Sequence, residues 1–96
     1  MSLTIRYELI EGHTDELIDS LKRERHRDKD VRYDGSYSAG EKFHVLGAVV
    51  AIHTKPDIKS NTKSNLVLIT EETPESIRRC REKLESLAKF RLKEKP

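Results

Sequence analysis

The sequence predicts an α+β protein in which an antiparallel sheet carries two helices on one face. Three observations lead to this fold class. Several segments alternate polar and apolar residues, consecutive strand-like segments are separated by short turns that contain glycine, and two segments carry apolar residues at helical spacing. Because short turns favour antiparallel pairing, the predicted order is β-α-β-β-β-β-α. A ferredoxin-like sandwich is the alternative arrangement.

Length and composition indicate one small folded unit over residues 1–96. Leu, Ile, Val and Phe make up a quarter of the chain, above the level of roughly 20% that is typical of disordered chains. Charged residues reach 38%, yet the formal net charge is only +2. No apolar run approaches the ~18 residues of a membrane span, and no signal peptide is recognisable. Since Cys80 is the only cysteine, we expect a cytoplasmic protein without an internal disulfide.

The first strand and the first helix come from the N-terminal third. Residues 3–9 alternate apolar and polar side chains, which is typical of a half-buried strand. Thr14 offers a hydroxyl as the N-cap of a helix, and Asp15 and Glu16 place negative charge in its first turn. The charged stretch 22–30 offers nothing to pack, so the helix is expected to end there. The apolar stripe of this helix is Leu17, Ile18 and Leu21.

Asp34-Gly35 predicts the first hairpin of the sheet. The dipeptide lies between two strand-like runs, and glycine tolerates the positive φ that a type I′ turn requires. Tyr33 and Tyr37 flank this turn. They are interpreted either as a cross-strand packing pair or as an aromatic edge that could meet a base or a peptide.

A second pair of strands surrounds Gly47. If Leu46-Gly47 is a two-residue turn, Val45 lies opposite Ala48, and Phe43 and Val50 share the core face. The alternative is one long strand with a bulge at Gly47.

The C-terminal third predicts a loop, a strand and a helix. Residues 55–64 are polar and form the loop, and residues 65–70 are an apolar strand. Thr73-Pro74 begins a helix, because threonine caps it and proline suits the first turn. Residues 91–96 are expected to be a frayed tail. The helix stripe is Ile77, Cys80, Leu84, Leu87 and Ala88.

The element order resembles one repeat of the TATA-binding-protein-like fold. The sequence itself resembles an uncharacterised archaeal family of small α+β proteins, and four segments carry this resemblance: residues 7–14, 36–40, 47–54 and 74–79. At the position of Cys80-Arg81 that family would have a Tyr-Asn pair. The resemblance implies a fold rather than an activity.

Positive charge is concentrated in two segments. Residues 78–95 sum to +5 and the loop 55–64 to +2, so the remaining residues sum to −5. Such a concentration suits a phosphate-rich partner. The alternative is a solvated helix face with cations near the helix C-terminus. The candidate contacts for an anion or a nucleic acid are Lys55, Lys59, Lys63, Arg78, Arg79 and Arg81.

No catalytic, cofactor or metal site is predicted. In the second hairpin His44 and His53 would lie about 13 Å apart, too far for one metal ion. Cys80 lies on an apolar stripe, where a buried thiol is the expected state. The glycines form no phosphate-binding loop, and no nucleophile has a base at a recognisable spacing.

These observations favour a non-enzymatic binding module that engages nucleic acid or a protein partner through its sheet face or its basic helix. Two alternatives remain. One is a homodimer or larger homo-oligomer, since a thin core gains burial from association. The other is a small-ligand protein with a pocket between the sheet and the helices.

Overall fold

Eight elements follow one another in the computed structural model, which describes residues 2–54, 65–87 and 90–95. Six are strands and two are helices. In chain order they are β1 (Leu3–Glu11), α1 (Thr14–Glu24), β2 (Val31–Tyr37), β3 (Gly40–Val45), β4 (Ala48–His53), β5 (Leu66–Glu71), α2 (Pro74–Ser86) and β6 (Arg91–Glu94).

The six strands form one antiparallel sheet in the spatial order β2-β3-β4-β5-β1-β6. Helix α1 connects β1 to the distant edge strand β2. Helix α2 connects β5 to β6, and β1 lies between these two strands. The predicted α+β class and antiparallel sheet are confirmed. Four consecutive strands stand between the helices, two more than the ferredoxin-like alternative has.

Both helices pack on the same face of the sheet. Helix α1 contacts β2 and β4, and α2 contacts β4, β5 and β6. Their buried side chains join the inward residues of the strands in one apolar core, and each large apolar side chain there stabilises the fold by roughly 1.5–3 kcal/mol. The fully buried side chains include Leu17, Leu21, Phe43, Val50, Ile69, Ile77 and Leu84.

The two helices begin differently. The Thr73 hydroxyl accepts a hydrogen bond of 3.1 Å from the Ser76 N–H, and Pro74 is the first residue of α2, as predicted. Thr14 is not the N-cap of α1, which was the expectation. It is the first helical residue and is buried, while His13 is the N-cap and makes no side-chain capping bond. The helix therefore begins one residue earlier than the capping pattern predicted.

The Leu46-Gly47 turn is confirmed. Both residues have positive φ, 53° and 83°, as a type I′ turn requires. Val45 lies opposite Ala48 and Phe43 opposite Val50. The alternative of one long bulged strand is wrong.

The predicted hairpin at Asp34-Gly35 is wrong. Strand β2 continues through it, and its register with β3 shifts between Tyr33 and Gly35, which makes the site a β-bulge. Gly35 has a φ of 96°, so the same glycine property that suits a type I′ turn here serves a bulge. The chain reverses instead at residues 38–39.

The expected frayed tail over residues 91–96 is also corrected. Residues 91–94 form β6, which pairs with β1. Leu92 is buried opposite Leu9, and Phe90 just before the strand is buried as well. Two apolar side chains and a free edge on β1 are sufficient to order a segment in which charged residues prevail.

Candidate functional site

Both helices pack on one face of the sheet, and the opposite face is formed by the outward-pointing residues of the strands. We call this opposite face the open face. Alternation along the strands and the register between them define its members. The aliphatic Val49, Ala51 and Leu68 lie at its centre and are not part of the helix-side core. The open face comprises Thr4, Arg6, Glu8, Arg32, Asp34, Tyr37, Lys42, His44, Val49, Ala51, His53, Leu66, Leu68, Thr70, Lys93 and Lys95.

Five cations of the described part of the chain lie on the open face, and they come from four different strands and the residue after β6. Lys93 lies opposite Glu8, and the Lys95 N–H donates to the Arg6 carbonyl over 2.9 Å, which continues the β1–β6 register. Within the described residues none of the five forms an ion pair. These cations are Arg6, Arg32, Lys42, Lys93 and Lys95.

Two acids share this face, and both have neutral or weakly basic partners. Glu8 accepts a hydrogen bond of 2.9 Å from the Asn65 side-chain amide. The Asp34 carboxylate lies 3.3 Å from His44 Nε2. With neutral histidines, the five cations and two acids that the structure describes on this face sum to a formal charge of +3, against +2 for the whole chain.

Tyr37 and His53 form an aromatic corner at one end of the open face. Their ring centroids lie 6.0 Å apart at 70°, and Lys42 Nζ lies 5.3 Å from the centroid of the Tyr37 ring. Burial raises the pKa of Tyr37 and lowers the pKa of His53. Tyr37 reaches this face because the bulge at Gly35 adds one residue to β2. Tyr33, four positions earlier, points to the helix side and packs on Phe43.

Strands β2 and β3 also line a cleft of about 290 Å³ with Arg32, Tyr33, Asp34 and His44. Arg32 and His44 lie directly opposite each other in the register, and Asp34 occupies the bulge. The cleft joins one cation, one acid and one imidazole. Among the described residues, no group of three or more His, Cys, Asp and Glu side chains is arranged to hold a metal ion.

The arginines predicted as contacts lie on α2, on the opposite side of the sheet from the open face. Arg78 is exposed and forms no ion pair with a described residue. Arg79 bonds Glu75 over 3.1 Å. Arg81 is half-buried, 5.9 Å from the Tyr7 ring centroid and 3.9 Å from Glu85. The predicted Lys55, Lys59 and Lys63 lie outside the described residues.

Two further lysines on the helix side serve the fold. Lys83 of α2 bonds Asp28, which follows α1, and this hydrogen bond lowers the pKa of Asp28 and raises that of Lys83. Lys22 of α1 lies 3.0 Å from Glu41, which also accepts a 2.7 Å hydrogen bond from the Tyr33 hydroxyl. Burial acts to raise the pKa of Glu41, but these two hydrogen bonds prevail and lower it. These contacts tie the helices to each other and to the sheet.

Cys80 is fully buried, as expected from its apolar stripe. Burial raises the pKa of its thiol to about 12, so the thiolate that would be needed for reactivity is not formed near neutral pH.

Sequence reasoning missed the cations of the open face. Arg6 and Arg32 each stand between two inward-pointing residues, so their direction followed from period-2 alternation. Lys93 and Lys95 were counted in the basic C-terminal segment but assigned to a tail. The net charge of this segment could not show that its cations are divided between the helix side and the open face of the sheet.

Comparison with family models, curated proteins and solved structures finds no match to this chain. The resemblance to an archaeal family and to a TATA-binding-protein-like repeat therefore stays a prediction. Within the described residues, neither helix has the length and apolar character that crossing a membrane would require.

Proposed function

We propose that this protein is a nucleic-acid-binding module that uses the open face of its sheet. The observation that carries the proposal is the set of five cations on one face, none of them in an ion pair with a described residue. Cations without acidic partners attract a polyanion without first breaking an ion pair. Each phosphate they neutralise releases counterions, which favours binding at low salt.

The helix side is less suited to this role. Arg79 and Lys83 already have carboxylate partners, and Arg81 lies partly buried against Tyr7. A phosphate would have to displace these partners, and the gain from each contact would fall accordingly. We therefore assign the nucleic acid to the open face rather than to the basic helix.

A titration of fluorescent RNA and DNA oligonucleotides at about 50 and about 200 mM salt tests the proposal. Two double variants each remove two positive charges: R32Q/K42Q from the open face, and R78Q/R79Q from α2 as the matched control. We expect R32Q/K42Q to weaken binding about tenfold at the lower salt and to reduce the salt slope by about 1 for each lost phosphate contact.

The control R78Q/R79Q should stay within about threefold of the unaltered protein, since only long-range attraction is lost. Binding that is absent at low salt contradicts the proposal. Equal losses in the two double variants contradict the assignment to the open face.

A further inference from the structure

The open face has an apolar centre between two charged sides. One row of opposite residues crosses four strands in the order Arg6, Leu68, Ala51, Lys42. With strands about 4.8 Å apart, the backbones of the two cations in this row are separated by about 14 Å. Val49 extends the apolar centre to the neighbouring row, between Thr70 and His44. A ligand that spans this face meets positive charge, then aliphatic surface, then positive charge.

This order distinguishes two forms of nucleic acid. The outside of a duplex presents phosphates and sugars, and its base faces are stacked inside. Aliphatic side chains in the middle of the site would therefore meet polar groups. A single strand can turn its base faces toward an apolar surface while its phosphates reach cations on either side.

The aromatic corner adds a second, independent observation. Tyr37 and His53 lie at one end of the apolar centre, and the bulge at Gly35 places the tyrosine on this face. Lys42 Nζ lies over one face of the same ring. Stacking on aromatic rings next to a cation is how sequence-tolerant binding of single strands is commonly achieved.

Building on the proposed function, we infer that the open face takes a single strand of nucleic acid in preference to a duplex. Bases lie on the partly exposed Leu68 and Val49, next to the buried Ala51, and stack at the Tyr37–His53 corner. The phosphates contact Arg6, Lys93 and Lys95 on one side and Lys42 and Arg32 on the other.

The experiment compares one labelled oligonucleotide of about 12 nucleotides, a length within the usual range of single-strand sites, before and after annealing to its complement. Both forms are titrated at the same salt concentration. We expect the single strand to bind at least about tenfold more tightly, because base stacking contributes only in that form. A duplex that binds equally or more tightly overturns this inference and leaves the proposed function intact. Failure of both forms to bind overturns the two together.

Variants test where the bases lie. Y37L removes the ring and L68T introduces a hydroxyl at the apolar centre. We expect each to weaken single-strand binding by about fivefold or more while duplex binding changes little. Y37F keeps the ring and serves as the matched control, with binding close to that of the unaltered protein. Single-strand affinity that is unchanged in both Y37L and L68T overturns the inference, and L68T tests it even if Y37L fails to fold.

Discussion

The two faces of this sheet are built from alternating residues of the same strands, yet their chemistry differs. Ile69 of β5 is fully buried beneath the helices, and its neighbour Leu68 is partly exposed on the open face. On the helix side, cations such as Lys83 and Lys22 are paired with carboxylates. On the open face, the cations have no such partners among the described residues. One face stabilises the fold, and the other is available for a charged ligand.

The largest expected effect compares these two neighbours in β5. Ile69→Ala leaves a cavity in the core, so we expect the free energy of unfolding to fall by about 2–5 kcal/mol. Leu68→Ala should lower it by less, about 1–2 kcal/mol, since this side chain keeps part of its surface in water and its truncation leaves no enclosed core cavity. Denaturant unfolding followed by circular dichroism measures both values.

If I69A does not fold, Ile69→Val is the milder test, with an expected loss of about 0.5–1.5 kcal/mol. Equal losses at positions 68 and 69 would show that both faces are packed alike, and the distinction between them would fail.

The helix side was largely predictable from the sequence because local patterns and global packing agree there. Leu17, Ile18 and Leu21 recur at helical spacing and are all buried. The Leu46-Gly47 turn followed from alternation on both sides of a two-residue loop, which leaves only one register that buries Phe43 and Val50 together.

Other features depended on distant partners, which no local pattern shows. A glycine with positive φ serves a turn or a bulge equally, so Asp34-Gly35 alone could not decide between them. At Gly40, where β3 begins, a Cβ would lie 1.9 Å from the Ile52 carbonyl oxygen, so the close approach of β4 requires glycine there. Likewise, β6 has a single buried residue, Leu92, and exists because β1 offers an edge.

The charge of the candidate site was visible only in part. The sequence showed that residues 78–95 are basic, but not that Arg79 pairs with Glu75 while Lys93 lies on the other side of the sheet. Sums over a segment ignore the direction of each side chain. Because side chains point to either face of a sheet, their direction determines whether the cations of a segment lie on one face or on both.

An intermediate effect is expected at the bulge that sends Tyr33 and Tyr37 to opposite faces. Gly35 has a φ of 96°, and a Cβ there would meet no atom within 4 Å. Gly35→Ala is therefore destabilising through backbone conformation alone, by about 1–2 kcal/mol. The neighbouring Ser36→Ala is the matched control, because Ser36 is exposed and its φ is not positive. Thermal unfolding compares the two variants, and we expect the lower midpoint temperature for Gly35→Ala. Equal midpoints would mean that the bulge does not require positive φ at residue 35.

The smallest expected effect concerns His53 and the pH dependence of stability. Burial lowers the pKa of His53 below its usual value of 6.5. The unfolded chain therefore takes up this proton more readily than the folded protein. The resulting stability is fully present above about pH 6.5 and is lost as the pH falls through the lower, folded-state pKa.

In the variant H53Q this contribution is absent, so the free energy of unfolding should change less between about pH 7.5 and pH 5.5 than in the unaltered protein. Exposed His26, in the turn after α1, provides the control H26Q for the loss of one histidine in general. A pH dependence that stays the same in H53Q would mean that His53 has the same pKa in the folded and in the unfolded protein. The free energy of unfolding would then contain no contribution from the burial of His53 at the aromatic corner.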